Sequence, residues 1–290
     1  MPTIAQAIAE GSARLEASHV DEARRTAGVL LCHALGIDRT HLLTRSEEQI
    51  IDLNYESYLR LVERRAAGEP VQYITGHQEF FGLDFNVTNE VLIPRPETEF
   101  LVERVIALAI EFPGEPNPLI ADIGTGSGCI AISLATRLPH ARLIATDISS
   151  GALEVARANA GRHGVQDRIQ FIEGDALEPL SRIGLEGAVD VLASNPPYVE
   201  EATSTLVQRE VREWEPHNAL FSGADGLDFY RRLLPDAPRY LKPGGFVVLE
   251  IGYSQLDSIA AMIAGSALEL VDATPDLQGI PRAICIRRVV

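Results

Sequence analysis

The chain has 290 residues, 46% of them apolar, and a formal net charge of −16. That length and apolar share suffice for one large domain with a smaller companion, each burying its own core. The acidity argues against a protein that grips nucleic-acid phosphates, which requires arginine and lysine, and suits a small ligand or a basic protein partner. No stretch approaches the roughly 20 apolar residues a membrane span needs, and the first 17 residues hold Glu10, Arg14 and Glu16 with no long apolar run, unlike a secretory leader. Cys32, Cys129 and Cys285 are odd in number, far apart and without CxxC spacing. They read as small buried hydrophobes, so neither disulfide nor metal site is expected and a reducing cytoplasm is the expected location.

In chain order, the front reads as four or so short helices. Thr3 and Gln6 form a capping-box pattern ahead of Ile4, Ile8 and Leu15. Asp21 is placed to cap a second helix through Val29 and Leu35, ended by Gly36. Ser46 to Gln49 repeat the capping-box pattern, before a helix through Tyr55, Leu59 and Val62 to Ala67, stopped by Gly68. His33 and His41 read as packing or surface residues. Leu83, Phe85 and Val87 then alternate, with Gly82 at a turn, which predicts a hairpin. Pro94 and Pro96 keep the following backbone extended until a helix begins at Glu97 or Thr98. The expected domains are a helical bundle over 1–70, a β-hairpin linker over 71–94 and a catalytic domain over 95–290.

Beyond Pro118 strands and helices alternate. Strands are predicted over 119–122, 142–147, 169–173, 189–194, 246–251, 268–273 and 283–288. Helices are predicted over 129–138, 150–163, 203–213, 226–241 and 255–264. This pattern predicts an α/β fold with a doubly wound, seven-stranded, mostly parallel sheet. The last two strands lack a helix between them and should pair antiparallel at the edge.

Two stretches carry chemistry. Gly124, Gly126 and Gly128 follow the first strand of the sheet and open a helix; Cys129 stands where a dinucleotide fingerprint has its last glycine. Asp122, expected at the mouth of this loop, disfavours a phosphate and suits a ligand with an ammonium group, as S-adenosylmethionine has. Asp147, at the end of the next strand, is placed to reach ribose hydroxyls, and Asp175, after the third, an adenine amino group. The second stretch is Asn195-Pro196-Pro197-Tyr198. The prolines end a buried strand and form a rigid tip that offers two acceptors, the Asn195 side-chain oxygen and the Pro196 carbonyl, with the Tyr198 ring beside them. Such a tip suits the NH2 of a planar amino or amide group.

Together these motifs resemble the class I S-adenosylmethionine methyltransferases that modify planar nitrogens. Gln72 to Gly76, Phe80 to Val87, Ile93 to Glu99, Asn195 to Val199 and Leu249 to Gly252 narrow the resemblance to the protein-glutamine N5-methyltransferases, most of all the release factor type (HemK/PrmC). The resemblance covers essentially the whole chain. It implies an enzyme whose target is the glutamine of the Gly-Gly-Gln motif in class 1 peptide chain release factors. It also implies that Asn195, Pro196, Pro197 and Tyr198 hold the glutamine amide, and that the front bundle helps to dock the release factor. The cofactor would be held by Gly124, Thr125, Gly126, Ser127, Gly128, Asp147, Asp175 and Ala176, with Asn195 beside it. Where that family has Phe-Glu-Pro this chain has Trp214-Glu215-Pro216, and Trp214 is either a pocket wall or core packing; Arg95, Glu97 and Glu99 either help close the cofactor site or form a solvated helix start. A monomer without direct nucleic-acid contact is expected. The alternatives are a ribosomal-protein glutamine methyltransferase, a nucleic-acid base methyltransferase, and a cofactor-binding scaffold or nicotinamide oxidoreductase.

Overall fold

The computed structural model describes residues 1–111 and 117–289. These form two compact units, Met1–His77 with Gln208–Trp214, and Gln78–Val207 with Glu215–Val290. The first unit is built from α1 (Ile4–Ala17), α2 (Ala23–Leu35), α3 (Arg39–Thr44), α4 (Asp52–Ala66) and α5 (Val71–Thr75), joined by the short helix Arg209–Trp214. Its core holds Ala7, Leu15, Ala27, Leu30, Leu31, Tyr58 and Val62, all fully buried. The Thr3 capping box forms as predicted, with reciprocal bonds to Gln6 of 2.9 and 3.2 Å. Gly36, in the left-handed region at φ 65°, ends α2 as predicted. His33 is exposed, and His41 bonds Glu48 at 3.0 Å on the surface.

Two predicted caps are not used. Asp21 caps nothing: α2 starts one residue later, behind Glu22 at φ 50°. Ser46 to Gln49 start no helix, because their backbone is engaged elsewhere. Ser46 and Glu48 carbonyls accept the Ala5 and Ile4 amides at 2.9 and 3.0 Å, satisfying first-turn donors of α1. Helix α4 begins at Asp52 instead, and α5 was not predicted.

In the second unit β1 (His77–Phe80) and β2 (Leu83–Asn86) pair across the Phe81-Gly82 turn, where both residues have positive φ, the twist a tight hairpin needs. There follow α6 (Thr98–Glu111), β3 (Leu119–Ile123), α7 (Cys129–Arg137), β4 (Arg142–Asp147), α8 (Ser150–Arg162), β5 (Ile169–Glu173), α9 (Glu178–Arg182) and β6 (Val189–Ser194). A 3-10 turn, Glu201–Leu206, and α10 (Arg209–Trp214) occupy the stretch predicted as one helix. After α11 (His217–Leu220) come α12 (Asp228–Tyr240), β7 (Leu241–Glu250), α13 (Leu256–Ile263), β8 (Leu268–Pro275) and β9 (Pro281–Arg288).

The seven-stranded sheet has the order β5-β4-β3-β6-β7-β9-β8. Strands β3 to β7 run parallel, and β9 lies antiparallel between β7 and β8, as the missing helix predicts. Helices α6 and α7 bury Leu101, Val105, Ile130 and Leu134 against one face. Helices α12 and α13 bury Leu233, Leu234, Ile259 and Ile263 against the other. Strand β7 starts five residues before the predicted 246, because Pro243-Gly244-Gly245 does not break it. The register shifts there between Val189 and Val191 of β6, and a Cβ on Gly245 would press to within 3.0–3.2 Å of three backbone carbonyls. The chain reverses between β3 and β6, so the carboxyl ends of these strands flank the crevice where ligands of such sheets bind.

Candidate active site

A cleft of about 380 Å³ opens at the carboxyl ends of β3, β4, β5 and β6, a size within the roughly 300–1,000 Å³ of small-molecule sites. Its first wall is the turn from β3 into α7. The amides of Gly124 and Thr125 both donate to the Thr146 carbonyl at 2.8 Å, which ties the loop to the end of β4. Gly124 has φ 74° and open space where a Cβ would stand, so its backbone borders the cleft directly. Gly128 is packed rather than open: at φ 83° a Cβ would lie 2.8 Å from Ile132 Cδ1 and 3.2 Å from Ala156 Cβ. It sets the distance between α7 and α8, not the approach of a ligand.

Asp122 corrects an expectation. It lies under the loop, fully buried, and not at its mouth. Its Oδ2 accepts from Thr125 Oγ1 at 2.6 Å and from the Ala131 amide at 3.2 Å, while its Oδ1 has no partner among the described residues. Burial pushes this carboxyl up to about 7. Asp122 therefore shapes the loop from beneath.

The second and third walls come from β4 and β5. Asp147 accepts from the Gly126 amide through Oδ2 and the Ser149 amide through Oδ1, both at 2.9 Å, and burial raises its carboxyl above the ordinary value. Asp175 and Ala176 follow β5, Ala176 in the left-handed region at φ 47°, and Asp175 forms an ion pair with Arg232 of α12.

The fourth wall is the tip after β6. Ser194 Oγ donates to the Ile123 carbonyl at 2.6 Å, joining the ends of β6 and β3. Asn195 donates from Nδ2 to Thr98 Oγ1 at 3.0 Å, and Thr98 Oγ1 donates to Glu250 Oε2 at 2.5 Å. With its nitrogen committed there, the acceptor that Asn195 offers is Oδ1. Tyr198 donates its hydroxyl to Glu250 Oε1 at 3.1 Å, and the Glu250 carboxylate, with burial, raises the phenol. Burial pushes Glu250 itself up to about 7. Gln255 Nε2 donates to the Tyr198 carbonyl at 3.0 Å.

Of the predicted residues, Gly124, Asp147, Asp175, Ala176, Asn195, Pro196 and Pro197 line the cleft. Thr125, Gly126, Ser127 and Gly128 lie behind that lining, and Tyr198 packs against the core beneath α12 and α13 with its hydroxyl on Glu250. Sequence reasoning missed Ile148, Asp228, Phe229, Arg232 and the stretch 218–223, of which all but Leu220 line the cleft. That stretch is brought there by the tip itself: Val199 N donates to the Leu220 carbonyl at 2.9 Å, and Ser222 N to the Val199 carbonyl at 3.0 Å. No local motif announces it. Arg95 bonds Glu215, which also accepts from the Ile93 amide at 3.0 Å, and Glu99 accepts from the Phe81 amide at 2.8 Å. Arg95, Glu97 and Glu99 are not in the cleft lining. Trp214 is half-buried within the first unit, its Nε1 beside Gly68, so it is packing and not a wall of this cleft.

These residues fit S-adenosylmethionine. The ligand carries an ammonium, a sulfonium, a ribose diol and an adenine amino group, all positive or hydrogen-bond donors. The cleft offers the carboxylates of Asp147, Asp175 and Asp228, an open glycine backbone at Gly124, and apolar surface at Ile148 and Phe221.

Two protein families match the chain, the PrmC N-terminal domain over residues 6–76 and the methyltransferase small domain over residues 99–215. The chain is 43% identical over 286 residues to the release factor glutamine methyltransferase of Koribacter versatilis, covering 99% of both chains. It is 44% identical over 287 residues to that of Moorella thermoacetica, again covering 99% of each. Among solved structures, a methyltransferase from Pyrococcus furiosus superposes with a TM-score of 0.51 at 19% identity, over 81% of this chain and 99% of that one. The hMettl16 catalytic domain does so with 0.54 at 16% identity, over 84% and 83%. These two share the fold, and the cofactor is S-adenosylmethionine. By its full-length likeness to those relatives, the chain belongs to the release factor glutamine methyltransferase family.

Proposed function

We propose that this protein transfers a methyl group from S-adenosylmethionine to the side-chain amide nitrogen of the glutamine in the Gly-Gly-Gln motif of class 1 peptide chain release factors. The observation that carries the reading is the state of Asn195. Its Nδ2 is held on Thr98, and it stands on a diproline tip beside a glycine-bordered, acid-lined cleft.

An amide nitrogen is a poor nucleophile because its lone pair is shared with the carbonyl. Asn195 Oδ1 and the Pro196 carbonyl accept the two N–H bonds of the glutamine amide, which orients the nitrogen and draws electron density towards it. Such orientation supplies on the order of 7–11 kcal/mol of the barrier. The same two oxygens stabilise the positive charge that develops on nitrogen, as fixed dipoles stabilise developing charge elsewhere. Asp147 holds the ribose hydroxyls, Gly124 borders the methionine portion, and Ile148 and Phe221 cover the adenine faces. Bound S-adenosylmethionine would supply an electrophilic methyl group on a cationic sulfur. The methylated nitrogen gives its spare proton to water, so no general base is assigned.

Residues 1–70 dock the release factor. A groove of about 640 Å³ in that bundle, lined by Ile8, Val29, Leu42 and Leu43 and rimmed by Arg24, Arg25 and Arg39, supports this assignment. The protein acts as a monomer in the cytoplasm and touches no nucleic acid directly, in keeping with its charge of −16. The test is incubation with methyl-labelled S-adenosylmethionine and, in parallel, recombinant release factor, ribosomal protein or nucleic acid, followed by mass spectrometry of the products. Label on the Gly-Gly-Gln glutamine is expected. Label confined to ribosomal protein or to nucleic acid overturns the reading in favour of one of the alternatives.

A further inference from the structure

The two ends of a carboxamide are nearly equal in size, so packing alone does not decide which way Asn195 faces. Turned over, it would present its own NH2 to the NH2 of the target glutamine, and no hydrogen bond would form. Something must fix its sense. The described residues contain one device that does so, and it is assembled from three distant parts of the chain. Thr98 opens α6, Asn195 follows β6 and Glu250 ends β7. Thr98 and Glu250 are 0% and 1% exposed, so water does not compete for their bonds.

A hydroxyl has a single hydrogen to give. That of Thr98 goes to Glu250 Oε2 at 2.5 Å once the carboxyl is ionised, above its value of about 7, because an ionised carboxylate only accepts. The Thr98 oxygen therefore faces Asn195, 3.0 Å away, with a lone pair. Only Nδ2 satisfies it; a flipped amide would set oxygen against oxygen and leave a buried acceptor unpaired. The other Glu250 oxygen is occupied by the Tyr198 hydroxyl at 3.1 Å, and the Glu250 carbonyl accepts from Tyr230 at 2.8 Å, so the carboxylate is held in place. We propose that Thr98 and Glu250 are positioning residues: their donor-to-acceptor relay sets the sense of the Asn195 amide and so aims its oxygen at the substrate nitrogen. This rests on the assignment of Asn195 as substrate acceptor given above.

The test is steady-state kinetics of the full chain with recombinant release factor, alongside calorimetric S-adenosylmethionine binding and thermal melting. Thr98→Val keeps the shape and removes the hydroxyl. It should lower kcat on the order of 10²-fold, the usual effect of a misaimed reacting group, with KM for the release factor and cofactor affinity changed by about threefold or less. Thr98→Ser, which restores the relay, should recover most of the turnover. Where Thr98→Val melts below the assay temperature, Thr98→Ala gives the same reading. Glu250→Gln, whose carbonyl still takes the Thr98 hydrogen, should outperform Glu250→Leu. Near-native kcat in Thr98→Val, a serine variant as slow as the valine one, or equal rates for the two Glu250 variants would each overturn the relay, given an inactive Asn195→Ala. An active Asn195→Ala would instead overturn the assignment of Asn195 itself.

Discussion

Asn195, Asp147 and Asp122 were all picked out by position at a strand end, and the three have different fates. Asn195 borders the cleft with its nitrogen bound to Thr98. Asn195→Ala should lower kcat by at least about 10²-fold, as removal of one oriented polar group does in other active sites, with a much smaller loss of cofactor affinity in calorimetry. Asp147 also borders the cleft, with each oxygen already accepting one backbone amide. Asp147→Ala should weaken S-adenosylmethionine binding by about 1.5–3 kcal/mol, the range for hydrogen bonds to a charged group, measured by the same calorimetry. Asp122 is buried beneath the loop. A strand-end acid is visible in a sequence, but the side on which its carboxylate emerges is decided by partners such as Thr125 and Ala131. The relay behind Asn195 was equally invisible: its partner Thr98 lies 97 residues before it, and Glu250, the partner of Thr98, is separated from Thr98 by 152.

At the scale of elements the alternation of strands and helices was readable because each parallel strand is a short apolar run and each helix has a periodic face. What escaped were elements made by tertiary pairing. The first half of β7 runs through a proline and two glycines, and it survives because a register shift absorbs them. Helices α5, α9 and α11 have five or fewer residues, too few to show a period. The loop between β3 and α7 was legible as glycines, yet Gly124 faces the cleft and Gly128 is a spacer between helices. Gly128→Ala should destabilise the protein by about 1–3 kcal/mol in urea unfolding, from overpacking together with a strained positive φ. Its effect on KM for the cofactor should be secondary.

For the molecule as a whole, two fully buried carboxyls, Asp122 and Glu250, are pushed up to about 7 from ordinary values near 4. Between those values the folded chain keeps protons that the unfolded chain has lost, so stability falls as pH rises from about 4 to 7. Below that window both states are protonated and these groups contribute no slope. Asp122→Asn should flatten the decline, as read from melting temperatures across the interval. The basic rim in an otherwise acidic protein makes a second expectation at this scale. Arg24→Glu combined with Arg39→Glu should raise KM for the release factor, most at low salt, and leave cofactor affinity unchanged.

The stretch Gln208–Trp214 belongs with the first 77 residues although it is threaded through the middle of the second unit's sequence. Arg65 of α4 pairs with Glu210 of that stretch, and Arg65 is 8% exposed. Trading the amino-terminal portion between genes by one terminal splice would therefore leave its last helix behind in the donor, parting the buried Arg65 guanidinium of the transferred piece from its own Glu210. Inheritance of the two parts together, or co-adaptation of positions 65 and 210 whenever they are separated, is the evolutionary signature this interleaving leaves.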